Sequence, residues 1–150
     1  MEQGSKVNEF VLEDQDEKKI NLKDFRGKKV LLSFHPLAWT SVCAKQMLSL
    51  EENKDQFAAQ NTVALGISVD PVPSKKAWAE SLGIDETRLL SDFWPHGRAA
   101  QQFGIFREED GISERANFIL NEEGVIIFKK IYEISKVPDI EEILSVLRQK

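Results

Sequence analysis

Residues 35–43 read His-Pro-Leu-Ala-Trp-Thr-Ser-Val-Cys and end on Cys43, the single cysteine of the chain. A lone thiol cannot close an internal disulfide or build a multi-cysteine metal site, so Cys43 is either a small packed hydrophobe or a reactive sulfur. For an arbitrary free cysteine packing is the default, but the neighbours here favour reactivity. A helical pattern begins at Ser41, which puts Cys43 in a first helical turn, where unpaired N–H groups and the helix dipole favour a thiolate. Thr40 brings a hydroxyl able to hydrogen-bond to the sulfur or to whatever approaches it. Pro36 pins the incoming loop and shields the sulfur from bulk water. His35 and His96 offer a different chemistry, a general base for a cysteine hydrolase. No oriented third member accompanies them, and His35 reads as a structural histidine at a strand end. No set of ligands has metal-binding spacing.

The elements that must position this stretch follow from hydrophobic period. The run 29–34 is continuously apolar in character, as in a strand buried on both faces, and 62–69 repeats that pattern. Between them a helix is expected from Ser41 onward, with Met47, Leu50, Phe57 and Ala58 on its buried face and Glu51, Glu52, Lys54 and Asp55 outside. Ser74 is the expected cap of a helix over 75–82 that stops at Gly83. Leu89–Ser91 reads as a short strand, followed by a turn at 94–97 and a brief helix over 99–103. Segments 10–12 and 20–22 form an expected hairpin with a long turn. A second hairpin joins 117–120 to 125–132 across Asn121–Gly124, and a final helix opens at Pro138 with Ile140, Ile143, Leu144 and Leu147 as its apolar stripe. The order implies an α/β layered domain with a central mixed sheet. In such sheets sites form beyond the carboxyl ends of strands, and residues 35–43 lie at one.

The spacing Pro36-x-x-x-Thr40-x-x-Cys43 resembles the active-site signature of the peroxiredoxins, the thioredoxin-fold thiol peroxidases of the alkyl hydroperoxide reductase and thiol-specific antioxidant (AhpC/TSA) family. The likeness continues through LKDFRGKKVLLSFHP, GISVDPVPSKKAWAESLGI, LLSDFWPHGRAAQQFGIF and GISERANFILNEEG. SDFWPHG and the single cysteine most resemble the one-cysteine AhpE-type branch. The resemblance implies a thioredoxin-like fold with an N-terminal β-hairpin extension. It also implies a peroxidatic role for Cys43, with Thr40 orienting thiolate and peroxide, Pro36 excluding water, and N–H groups near Val42 and Cys43 binding the peroxide oxygen. Arg115 occupies the place of the family arginine that approaches the sulfur, and a guanidinium suits both a thiolate and a breaking O–O bond. Three positions depart from the pattern: Trp39 enlarges an aromatic wall usually formed by phenylalanine, His35 replaces a tyrosine or phenylalanine, and Gln46 replaces a glutamate, which removes a charge from that network.

Length and charge bound what remains. The 150 residues, 41% hydrophobic and 30% charged with a net charge of −5, suit one domain over 1–150 and give no general attraction to nucleic acid or anionic membranes. No signal-peptide or membrane-spanning pattern is present, which reads as cytoplasmic. The expected chemistry is reduction of hydrogen peroxide and alkyl hydroperoxides through a Cys43 sulfenic acid, needing no metal or organic cofactor. With no second cysteine, the expected reductant is an external thiol: thioredoxin, a glutaredoxin-like protein or a small thiol. A homodimer is the expected assembly from the resemblance, with Trp94 a candidate for the dimer contact. The alternative is a redox sensor or binding module using the same thiol without turnover.

Overall fold

In the computed structural model, which describes residues 1–7 and 9–149, the chain opens with an antiparallel hairpin of β1 (Val11–Glu13) and β2 (Lys19–Asn21). Its long turn is tied by the Asp14 carboxylate, which accepts the N–H groups of Asp16 and Lys18. There follow β3 (Lys29–Phe34), α1 (Ser41–Glu52), α2 (Lys54–Ala59), β4 (Thr62–Ser68), α3 (Val72–Leu82), β5 (Arg88–Ser91) and α4 (Arg98–Gln102). The last part comprises β6 (Phe106–Arg107), β7 (Ile112–Ser113), β8 (Arg115–Leu120), β9 (Ile126–Tyr132) and α5 (Ile140–Arg148).

Seven strands form one mixed sheet in the order β2-β1-β5-β4-β3-β8-β9. The two runs expected to be buried strands, β3 and β4, are parallel neighbours, and β5 continues the parallel part. β8 and β9 add the expected antiparallel hairpin beside β3, and β1 joins antiparallel to β5.

Strand period 2 assigns the site residues to one face. On β3, Val30, Leu32 and Phe34 enter one core with Phe103 and Phe118, whereas Leu31 enters the other with Met47, Trp78 and Leu144. Ser33 and the residue after the strand, His35, therefore share the face covered by α1, α3 and α5. On β8, Ile119 belongs to that second core and Phe118 to the first, so Arg115 and Asn117 point to the same side as Ser33. Gly66 on β4 lets α1 approach the sheet closely, because a Cβ there would overlap the Met47 sulfur.

Three expectations are corrected. The helix from Ser41 breaks at Asn53, whose Nδ2 donates to the Ser49 carbonyl at 2.7 Å, and resumes as α2 with Phe57 buried and Ala58 exposed. Glu51 is buried because its carboxylate receives the backbone N–H groups of Asp85, Glu86 and Thr87 and the Thr87 hydroxyl. Helix α3 starts at Val72, before Ser74, since Pro71 sets the entry and Pro73 has no N–H to satisfy. The two-stranded ribbon of β6 and β7 had no sequence signal, being only two residues per strand. Among the described residues no helix is long and apolar enough to cross a membrane.

Candidate active site

The loop from His35 to Thr40 is pinned at several points. The Ser113 hydroxyl donates to the His35 carbonyl at 3.5 Å, and the Ala38 N–H donates to the Asp70 carboxylate at 2.8 Å. Asp70 is itself fixed by the Ser68 hydroxyl at 2.6 Å. Trp39 adopts a left-handed backbone, φ 69°, an uncommon conformation for a bulky residue. This turn sends its side chain outward, where Nε1 donates to Ser74 Oγ at 2.9 Å. Trp39 is 56% exposed and does not line the cavity at Cys43, which corrects its expected place as an aromatic wall of the substrate site. Leu37 takes that place.

Cys43 is the third residue of α1, and its side chain is buried at 1% exposure. The first helical bond runs from the Ala44 N–H to the Thr40 carbonyl at 2.9 Å, so the N–H groups of Ser41, Val42 and Cys43 precede the helical ladder. Thr40, the N-cap residue, does not cap them. Its hydroxyl donates to the Leu37 carbonyl at 2.8 Å. The expectation that this hydroxyl turns to the sulfur is thereby narrowed: its proton is committed to the loop, and what it offers is oxygen lone pairs.

Arg115 supplies the charge. From the start of β8 its Nη1 reaches Cys43 Sγ at 3.3 Å and Gln46 Oε1 at 2.7 Å, while Nε and Nη2 both donate to the Ile134 carbonyl, at 3.0 and 2.7 Å. The other end of Gln46 donates to Ser33 Oγ at 2.8 Å and to the Phe34 carbonyl at 3.1 Å. The amide thus uses both polarities, acceptor toward Arg115 and donor toward the strand, a connection a carboxylate in its place would not make. Arg115 is 2% exposed, and its contacts are neutral oxygens and the sulfur. Among the described residues no carboxylate pairs with it; a cation so buried calls for a compensating anion, and the Cys43 sulfur is the group in reach.

A cavity of about 300 Å³ opens on the sulfur. Pro36, Leu37, Val42, Ile112 and Ile134 give it apolar walls, and Thr40, Ser41, Cys43, Arg115 and Ser135 supply its polar groups. The structure therefore brings together five sequence-expected residues, Pro36, Thr40, Val42, Cys43 and Arg115, and leaves Trp39 outside. Sequence reasoning flagged Gln46 only as a departure and missed Ile112, Ser135 and the Ile134 carbonyl. The last acts through its backbone, which no side-chain pattern reveals. His96 does not line this cavity; its ring is hydrogen-bonded to the Gly111 carbonyl at 2.7 Å.

A mixed sheet with a thiol at a helix N-terminus, faced by a buried guanidinium, is the layout of a thioredoxin-like thiol enzyme. The sequence profile of the AhpC/TSA family matches residues 3–129. Alkyl hydroperoxide reductase E of Mycobacterium tuberculosis (strain H37Rv) is 39% identical over 137 residues, spanning 91% of this chain and 89% of that protein. The putative peroxiredoxin bcp of Haemophilus influenzae is 36% identical over 143 residues, spanning 91% and 88%. Among solved structures, the reduced 2-Cys peroxiredoxin of Plasmodium vivax superposes with a TM-score of 0.89 at 27% identity, over 98% of this chain and 80% of that one. Peroxidoxin BcpB of Mycobacterium tuberculosis gives 0.87 at 27% identity, over 99% and 97%. The chain belongs to the AhpC/TSA family of peroxiredoxins, and its single cysteine fits the branch of alkyl hydroperoxide reductase E.

Proposed function

We infer that this chain is a thiol-dependent peroxidase acting on hydrogen peroxide and alkyl hydroperoxides. The observation that carries the reading is the buried Arg115 guanidinium, 3.3 Å from the Cys43 sulfur and, among the described residues, without a carboxylate partner. The thiolate attacks the distal oxygen of the hydroperoxide. An S–O bond forms, the O–O bond breaks, and the leaving alkoxide or hydroxide departs as alcohol or water after taking a proton. Sulfur loses two electrons and the peroxide gains them, leaving a sulfenic acid. Arg115 faces the charge that moves onto the leaving oxygen. The Val42 and Cys43 N–H groups hold the peroxide, and the Thr40 oxygen accepts its O–H. Pro36 and the apolar walls keep water out and receive an alkyl tail.

An external thiol then attacks the sulfenic sulfur, releases water and forms a mixed disulfide that a second thiol reduces. The reading takes 1–150 as one domain and places it in the cytoplasm, where a lone thiol stays reduced. A homodimer is supported by the exposed aromatic surface of Phe93 and Trp94, 46% and 82% exposed. The test is stopped-flow oxidation of the reduced protein by each peroxide, followed by steady-state turnover with an added thiol. Rapid oxidation with turnover is expected, and both should be absent in Cys43→Ser. Oxidation without turnover by any thiol would leave a sensor rather than a peroxidase.

A further inference from the structure

Gln46 stands on α1 one turn after Cys43 and is buried, and the reaction above gives it no part. Its amide ties three elements together. Oε1 accepts from Arg115 Nη1 of β8 at 2.7 Å, while Nε2 donates to Ser33 Oγ at 2.8 Å and to the Phe34 carbonyl at 3.1 Å, both at the end of β3. The direction of the amide is dictated from both sides, since a guanidinium carries only donors and the Phe34 carbonyl can only accept. The same Nη1 also reaches Cys43 Sγ at 3.3 Å, so its two N–H groups are divided between the amide and the sulfur. Nε and Nη2 both donate to the single Ile134 carbonyl. That oxygen anchors one edge of the guanidinium and leaves its tilt about the anchor open. A glutamate at position 46 would also receive Nη1, but it would bring a second anion to the guanidinium that touches the sulfur, and would face the Phe34 carbonyl acceptor to acceptor.

We propose that Gln46 is a positioning residue for the peroxide reaction: its neutral amide holds Arg115 Nη1 against Cys43 and leaves the guanidinium charge undivided for the sulfur and the leaving oxygen. The proposal rests on the peroxidatic reading of Cys43 and names a control of that site. Charge is the point of the amide. An opposite charge within about 4–6 Å favours an ionised group, and a like charge at that range disfavours it, so an amide can orient the guanidinium without opposing the thiolate. The other titratable groups on this side of the sheet are Lys75 of α3 and His35 at the end of β3, in contact through Nζ and Nε2 at 2.7 Å. Lys75 faces Asp70 and Cys43, and His35 faces Lys75 and Arg115. Among the described residues neither side chain hydrogen-bonds to Sγ, Gln46 or the Arg115 guanidinium. Substitution at position 46 leaves both in place, so they enter every variant alike.

The test compares Gln46→Glu and Gln46→Met with wild type in two readouts: thiolate formation against pH by ultraviolet absorbance, and stopped-flow oxidation by hydrogen peroxide normalised to thiolate. Gln46→Glu keeps the shape and adds an anion, so the thiolate midpoint should rise by about one pH unit or more. Gln46→Met adds no charge and removes the oxygen that holds Nη1. Its midpoint should stay within about half a unit of wild type, while its normalised rate should fall roughly tenfold to a hundredfold because the guanidinium is misplaced. A residue that only fills space would move the two variants alike. A Gln46→Glu midpoint within about half a unit of wild type would overturn the proposal, and so would a Gln46→Met rate within about threefold. Should Gln46→Glu fail to fold, Gln46→Met decides alone: loss of rate at an unmoved midpoint supports the proposal, and an unmoved rate overturns it. Thiolate absorbance needs no peroxide. A wild type that does not consume peroxide would therefore refute the peroxidase reading, while the Gln46→Glu midpoint would still judge how the charge is shared.

Discussion

Replacing Arg115 with methionine keeps much of the aliphatic bulk and removes the guanidinium. Two separable losses follow from its contacts. The first is the Nη1 donor 3.3 Å from Sγ. Removing one organised donor at a developing charge typically costs roughly 10²–10³-fold in rate, about 2.7–4 kcal/mol. The second is structural. Gln46 Oε1 is buried and loses its donor, which costs about 1–3 kcal/mol as an unsatisfied acceptor, whereas the Ile134 carbonyl belongs to an exposed residue and can be hydrated. Stopped-flow oxidation, followed by fluorescence of the neighbouring Trp39 and normalised to thiolate measured by ultraviolet absorbance, separates the chemical loss from any change in ionisation. The normalised rate should fall roughly 10²–10³-fold. Arg115→Lys restores the charge, but one nitrogen cannot serve sulfur, Gln46 and Ile134 together, and it should recover the rate only in part. A normalised rate for Arg115→Met within threefold of wild type would refute the reasoning, because Arg115 would then act on ionisation alone.

Thr40→Val, nearly isosteric, removes both the tie to Leu37 and the acceptor offered to peroxide, and should slow oxidation by roughly 10²-fold, with Thr40→Ser close to wild type; a loss under threefold for valine would leave Thr40 a packing role. Glu51 gives a pH prediction. Burial raises this carboxyl, but the N–H groups of Asp85, Thr87 and Glu86 and the Thr87 hydroxyl outweigh that and hold it at about 2, below its usual 4.5. Its folded-state value is depressed, so its contribution, on the order of 3 kcal/mol, is present above about pH 4.5 and is lost as pH falls toward 2. Urea denaturation should find Glu51→Gln about 2–3 kcal/mol less stable at neutral pH and less sensitive to acid than wild type; an unchanged acid dependence would contradict the assignment.

Much of the site was legible because it follows from periodicity. The helical pattern beginning at Ser41 placed Cys43 in a first turn, and the apolar run 29–34 placed the loop before it at a strand end. Arg115 was legible through resemblance, and strand parity then puts it on the same side as Ser33. What escaped depends on where side chains turn at irregular backbone. Trp39 left the cavity because of its left-handed φ, and the Thr40 hydroxyl went to a carbonyl three residues back. Glu51 sat at a solvent-facing helical position, yet an approaching loop presented it with three N–H groups. Lys75 had a faint signal: it stands on the apolar face of its helix, three and four residues before Trp78 and Ala79. A charge at such a position reads as an accident until its partner, forty residues earlier in the chain, is seen beside it.

The claim that Cys43 takes an oxygen from hydroperoxide and returns it through an outside thiol is tested most directly by intact mass spectrometry. Reduced protein is treated with one equivalent of peroxide, with and without a small trapping thiol. The account predicts gain of a single oxygen on Cys43, further oxidation to sulfinic acid in excess peroxide, and replacement of the adduct by a Cys43 mixed disulfide when the thiol is present. An unmodified sulfur, or a product consisting mainly of two chains joined through Cys43, would contradict it.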